Sequence, residues 1–203
     1  PLDPAALARC FAEIIRRHEV LRTIFALRGD RPVQIIQDPV PFLLPLVDLT
    51  GLSEEARRTE ERRLAELSAT APFDLERGPL LRALLLRLLP EEHGLLLAMH
   101  HIVTDGWSMG LFRQELFTLY QAYRQGQANP LPPLPVQYVD YAYWQRDYLQ
   151  GELLERQLDY WRRKLAGIPS LELPADRARH GRHSSLSPIG CAPDRQLGLA
   201  EQP

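Results

Sequence analysis

Behind Asp3-Pro4, a pair suited to capping and opening a helix, Leu7, Phe11, Ile14, Ile15 and His18 recur at helical spacing. The period then changes. Val20 to Ala26 and Val33 to Ile36 are β-leaning apolar runs around Arg28-Gly29-Asp30-Arg31, which predicts a hairpin. Pro39, Pro41 and Pro45 mark irregular chain before a helix capped by Ser53, with Glu54 and Glu55 in its first turn. Leu80 to Leu89 and Leu95 to Val103 are expected as paired strands of a mostly buried sheet, because both faces of the second run are apolar. A helix from Ser108 to Arg124 follows, with Phe112, Leu116, Leu119, Tyr120 and Tyr123 on its inner side. After a Pro-rich connection over 129–135, two further helices are expected over Val136–Leu149 and Glu152–Leu165, the second stopped by Gly167. Past Pro174 the chain holds few large apolar residues and no period, so the tail is expected to be disordered. The body reads as α/β.

Composition narrows the class without changing that picture. A chain of 203 residues, 45% hydrophobic and 25% charged, fits a globular domain or one lobe of something larger. The formal net charge of −2 gives no electrostatic case for binding nucleic acid or an anionic membrane. Cys10 falls on the apolar face of the first helix and reads as a buried free thiol; Cys191 lies far away, and no disulfide framework emerges. With neither a basic n-region nor an apolar h-region at the start, and no apolar stretch long enough to span a bilayer, a cytoplasmic location is expected.

Candidate chemistry concentrates at one strand end. His100 and His101 are adjacent, and adjacent strand residues face opposite ways, so one is expected to work and the other to pack. Asp105-Gly106 then turns the chain and returns a carboxylate that can orient an imidazole or pair with an Arg. Trp107 and Ser108 open the next helix and bring backbone N–H groups to the same point. An imidazole titrates ordinarily near pH ~6.5 and suits proton transfer; a buried His pair beside a tight turn is the structural alternative. A metal reading through His93, His100 or His101, and Asp105 lacks a convergent third ligand, so no metal is expected.

Three segments resemble the condensation domains of nonribosomal peptide synthetases. Met99-His100-His101-Ile102-Val103-Thr104-Asp105-Gly106-Trp107-Ser108 is similar to the HHxxxDG motif with its flanks. Arg17-His18-Glu19-Val20-Leu21-Arg22-Thr23-Ile24-Phe25 resembles the RHExLRTxF motif, and Tyr138-Val139-Asp140-Tyr141-Ala142-Tyr143-Trp144 the YxDYAxW motif. HHxxxDG alone is shared with chloramphenicol-acetyltransferase-like acyltransferases; the three in this order are far more specific.

The resemblance, over residues 1–177, implies a chloramphenicol-acetyltransferase-like lobe: a mixed sheet flanked by helices, one half of a V-shaped two-lobe domain with a tunnel between the lobes. It implies amide formation between a carrier-protein-bound acyl thioester and an acceptor amine. His101 is then the catalytic His, beside His100, Asp105 and Gly106, with Asp105 paired to Arg22 or, second, Arg17. Gly106 would leave room for substrate. Tyr138 and Trp144 are implied as packing residues of the lobe, and His18 as a core or helix-end residue. Trp107 favours peptide-bond-forming subtypes, and His100 argues against heterocyclization relatives. No cofactor is bound directly. Substrates ride on phosphopantetheine arms of donor and acceptor carrier proteins, and an adjacent adenylation domain and a C-terminal lobe are the further partners. On that reading residues 1–177 are the N-terminal lobe of the domain, residues 178–203 are a disordered or frame-shifted tail, and little activity is expected without the other lobe. A stand-alone acyltransferase using coenzyme A or a carrier protein, and an inactive remnant, are the alternatives.

Overall fold

The computed structural model describes residues 1–169; the expectations for Cys191 and for the tail over 178–203 fall outside them. The described residues belong to two compact units that divide after Asp140.

In the first unit, helix α1 (Pro4–Arg17) starts as its sequence predicts. The Asp3 carboxylate accepts from the backbone N–H of Ala5 (2.9 Å) and Ala6 (3.0 Å), and Pro4 occupies the first turn. Its stripe of Leu7, Cys10, Phe11 and Ile14 is buried. Burial pushes the Cys10 thiol up to about 11, so it packs as a small apolar side chain. His18 caps the far end, its N–H donating to the carbonyl of Ile14.

The run from Val20 departs from expectation. Glu19–Arg22 is a 3-10 turn, and strand β1 (Thr23–Arg28) begins only after it. The turn lets Leu21 enter the core directly after the helix, where a strand would have alternated it outward. β1 pairs antiparallel with β2 (Arg31–Ile36), in a register setting Arg28 opposite Arg31. Gly29 takes φ of 63°, the left-handed backbone that a two-residue hairpin turn demands.

The second sheet has the order β3-β4-β5: β3 (Leu46–Asp48), β4 (Leu81–Leu89) and β5 (Glu92–Met99). β4 runs parallel to β3 and antiparallel to β5. Three-residue β3 is too short for an alternation that would mark it in the sequence. Helix α2 (Glu54–Thr70) begins at Ser53, whose hydroxyl caps Ala56. Contrary to the expected mostly buried sheet, no β5 residue is fully buried and Leu95 is 37% exposed.

Helix α3 (Gly106–Arg124) packs on α1, and the two helices share one core with the face of β4 carrying Leu81 and Leu85. Phe11 stacks on Phe42 (centroids 4.9 Å, 17°) and tilts against Phe112 (5.8 Å, 50°). A polar brace closes the α1–α3 contact. Glu115 accepts from Arg17 Nε (3.1 Å) and meets His18 Nε2 at 2.7 Å, while Arg17 also donates to the carbonyl of Pro132. Arg17 is only 9% exposed, so removing its carboxylate partner strands a nearly buried cation. Glu115→Ala is expected to cost about 2 kcal/mol in chemical denaturation, with Glu115→Gln milder. Equal midpoints for Glu115→Ala and the parent would remove the brace from the account.

Helix α4 (Tyr138–Tyr148) crosses the division between the units and α5 (Gly151–Leu165) follows, with Gly167 at φ of 72° just past its end. Neither helix has a fully buried residue among those described. Tyr138 (53% exposed) and Trp144 (56%) lie outside the core; Trp144 stacks on Tyr148, one helical turn on (5.1 Å, 13°). No described helix is long and apolar enough to cross a membrane.

Candidate functional site

β5 ends at Met99, four residues short of the predicted Val103. One more ladder bond, from His100 N–H to the carbonyl of Leu80 (3.0 Å), carries the chain to the edge, and a turn closes with Val103 N–H on the carbonyl of His100 (3.0 Å). Val103 plugs into the core and anchors the loop. His100 and His101 do diverge, but a turn separates them rather than strand alternation.

His100 turns inward. Its Nδ1 accepts the N–H of Ile102 (3.0 Å), which leaves the ring proton to Nε2. The ring meets Phe73 edge-on (5.8 Å, 88°). Behind Phe73 lies the Arg82 guanidinium, 3.9 Å from the ring centroid, which also donates to the carbonyls of Ala71 (2.6 Å) and Pro72. This Arg82–Phe73–His100 stack was invisible in sequence, because it joins a loop, a strand and a turn with no common period.

His101 turns outward. It is exposed, and no described residue hydrogen-bonds its ring. It lines an open pocket of about 270 Å³ with Leu97, Met99, Thr104 and Met109, and with Asp105 and Gly106 at the rim. Leu97 and Met99 come from the core-facing side of β5, and Met109 from the first turn of α3. A Cβ at Gly106 would meet no atom within 4 Å, so its hydrogen leaves space that a side chain would take.

Among the described residues Asp105 does not form the ion pair the resemblance implies. It is the N-cap of α3, which starts at Gly106 rather than Ser108. One carboxylate oxygen accepts both the N–H (2.8 Å) and the hydroxyl (2.6 Å) of Ser108. The Ser108 hydroxyl and N–H, the Trp107 N–H and the nearby His101 together hold its carboxyl below the usual range. Those two N–H groups are thereby occupied. Arg22, the first partner expected, donates to Glu19 (3.1 Å) and the Gln37 carbonyl at the base of the hairpin; Arg17 is held by Glu115. Arg22 finds its carboxylate in its own turn, and Arg17 finds one on the helix packed against α1. Trp107 is 81% exposed.

Because the Asp105 carboxyl is depressed, the cap's stability is present above the ordinary value near ~3.9 and lost as pH falls through the lower folded value. Asp105→Ala is expected to lower Tm at pH 7 and to flatten the acid limb of the stability profile. Asp105→Asn, also a competent cap, should keep most of the pH 7 stability. Identical acid limbs for the parent and Asp105→Ala would count against the cap. Among the described residues no group of three or more His, Cys, Asp or Glu is placed to hold a metal.

A family model described as "Condensation domain" matches residues 1–187. The chain belongs to the condensation-domain family. It is 51% identical over 179 residues to a linear gramicidin synthase polypeptide of Brevibacillus parabrevis, covering 88% of this chain and 4% of that protein. It is 49% identical over 178 residues to Chondramide synthase cmdD of Chondromyces crocatus, covering 88% and 5%. Among solved structures, the X-domain from teicoplanin biosynthesis matches with a TM-score of 0.78 at 37% identity, over 88% of this chain and 39% of that one. The epimerization domain from the third module of tyrocidine synthetase B matches with a TM-score of 0.76 at 25% identity, over 88% and 40%. This condensation-domain chain thus spans a few per cent of the synthases and about two fifths of the solved domains.

Proposed function

We propose that residues 1–177 form the His101-bearing lobe of a peptide-bond-forming condensation domain, in which the other lobe completes a tunnel. The observation that carries this is an exposed His101 ring, hydrogen-bonded to no described residue, lining an open pocket with Leu97, Met99 and Met109, beside a packed and hydrogen-bonded His100. A free imidazole facing a cavity can accept a proton from an attacking amine. The amine nitrogen bonds to the thioester carbonyl carbon, the carbon–sulfur bond breaks, and the thiol leaves with a proton. His101 serves as base or orients the amine.

His100 sets the turn, Asp105 and Ser108 cap α3 behind it, and Gly106 keeps the pocket open. Arg17 steadies α3 through Glu115, and Arg22 secures the hairpin base. Trp107, Tyr138 and Trp144 keep a scaffolding role without touching the reacting atoms. The substrates are phosphopantetheine thioesters on donor and acceptor carrier proteins, with an adenylation domain alongside and a cytoplasmic location.

The test combines this chain, with and without a separately expressed second lobe from a relative, with two loaded carrier proteins. Amide product is followed by mass spectrometry. Product that requires both lobes is the expected result; product that forms equally with His101→Ala would overturn the assignment.

A further inference from the structure

The sequence holds two methionines, Met99 and Met109, and both line the His101 pocket. Met is the unbranched apolar side chain, able to reshape itself around varied partners through three rotatable bonds. Met99 is also a wall of a second cavity of about 120 Å³, lined chiefly by Ile14, Val20, Leu21, Val103 and Phe112. Thr104 is the other residue common to both cavities. The second cavity also touches His18 and Ser108, but these are already bonded to Glu115 and Asp105. Apart from Thr104, what they leave to a guest is an apolar surface.

Charge at the mouth points the same way. Asp105 stands at the rim, its carboxyl held below the usual range and therefore ionised at neutral pH. An acidic group entering beside it would meet a like charge and lose its water against Leu97 and the two methionines.

We infer that the His101 pocket takes the uncharged aliphatic side chain of an aminoacyl thioester, with Met99 as a deformable wall that opens the cavity behind it to larger groups. This deepens the proposed function and rests on it. Met99 and Met109 are specificity-determining residues, and they leave the proton-transfer role to His101.

The two methionines make the test direct on the chain as it exists. Hydrogen peroxide oxidises each thioether to a sulfoxide and is reduced to water, so intact mass counts the additions and peptide mapping assigns them. The probes are leucyl- and aspartyl-pantetheine analogues with the ester sulfur replaced by methylene, side chains of nearly equal shape and different charge. At ten times its dissociation constant, the leucyl probe should slow oxidation of both methionines about tenfold by mass action. The aspartyl probe at that concentration should slow it less than twofold. Equal protection by both probes, or protection by neither, overturns the inference. Met99→Ala should shift preference from the leucyl to a tryptophyl analogue, read by competition calorimetry. Met99→Val offers the same reading if the alanine variant does not fold, and an unchanged preference in the folded variant removes the wall. The amide assay with His101→Ala reads the proposed reaction separately, so either idea can fail alone.

Discussion

On the proposed function, replacing His101 with Ala is expected to lower amide formation about 10²- to 10⁴-fold, the range a positioned proton-transfer group supplies. The structure makes this a clean substitution. The ring is exposed and hydrogen-bonded to no described residue, so its loss leaves no orphaned partner and no core cavity. Tm should therefore stay at the parent value while product disappears. His100→Ala provides the contrast. It removes the acceptor for Ile102 N–H and the edge contact with Phe73, so it should lower Tm and activity together. The measurement is the initial rate of amide formation with both lobes and loaded carrier proteins, set beside thermal unfolding of each variant. A His101→Ala protein with parental rate would sink the site assignment, and one with parental rate and lowered Tm would make His101 a structural residue.

The largest stability effect is expected at Phe11. Its side chain is fully buried, stacked on Phe42 and tilted against Phe112, where α1, the 39–45 connection and α3 meet. Phe11→Ala deletes a ring whose cavity the flanking helices cannot close without losing Ile14 and Leu119 from the same core. A cost of about 3–5 kcal/mol follows, against a total stability of roughly 5–15 kcal/mol for an ordinary domain. Phe11→Leu retains much of the volume and should cost less than half as much. Urea unfolding of the parent and both variants reads the order. A loss below about 1 kcal/mol for Phe11→Ala would mean that the aromatic cluster contributes little to holding α1 on α3.

Local rules were strongest where one element satisfied its own backbone. The caps of Asp3 and Ser53, the Gly29-Asp30 turn and the Gly167 stop each involve groups only a few residues apart, and each stands where its residues predicted it. The rules weakened wherever a competing partner came from afar. Val20-Leu21-Arg22 opens the run read as β-leaning, but burial of Leu21 and the Thr23 hydroxyl bond to the Glu19 carbonyl (2.8 Å) favour a 3-10 turn. From its sequence Asp105 reads as orienting an imidazole or pairing with an Arg; it caps α3 instead, because the cap lies three residues away and requires no distant cation.

The family, the α/β class, the order of most elements and the place of the His pair at a strand end were all determined by the linear sequence. Periodicity, capping chemistry and three spaced motifs act through neighbours in the chain, and a neighbour is legible without a fold. Why one His faces solvent, what supports the other, and what walls the pocket were decided by tertiary structure alone. The Arg82–Phe73–His100 stack, the Arg17–His18–Glu115 brace and the pairing of Met99 with Met109 unite residues from different elements. Their contacts arise only when packing of α1 and α3 on the sheet brings those elements together, and no pattern along the chain encodes that approach.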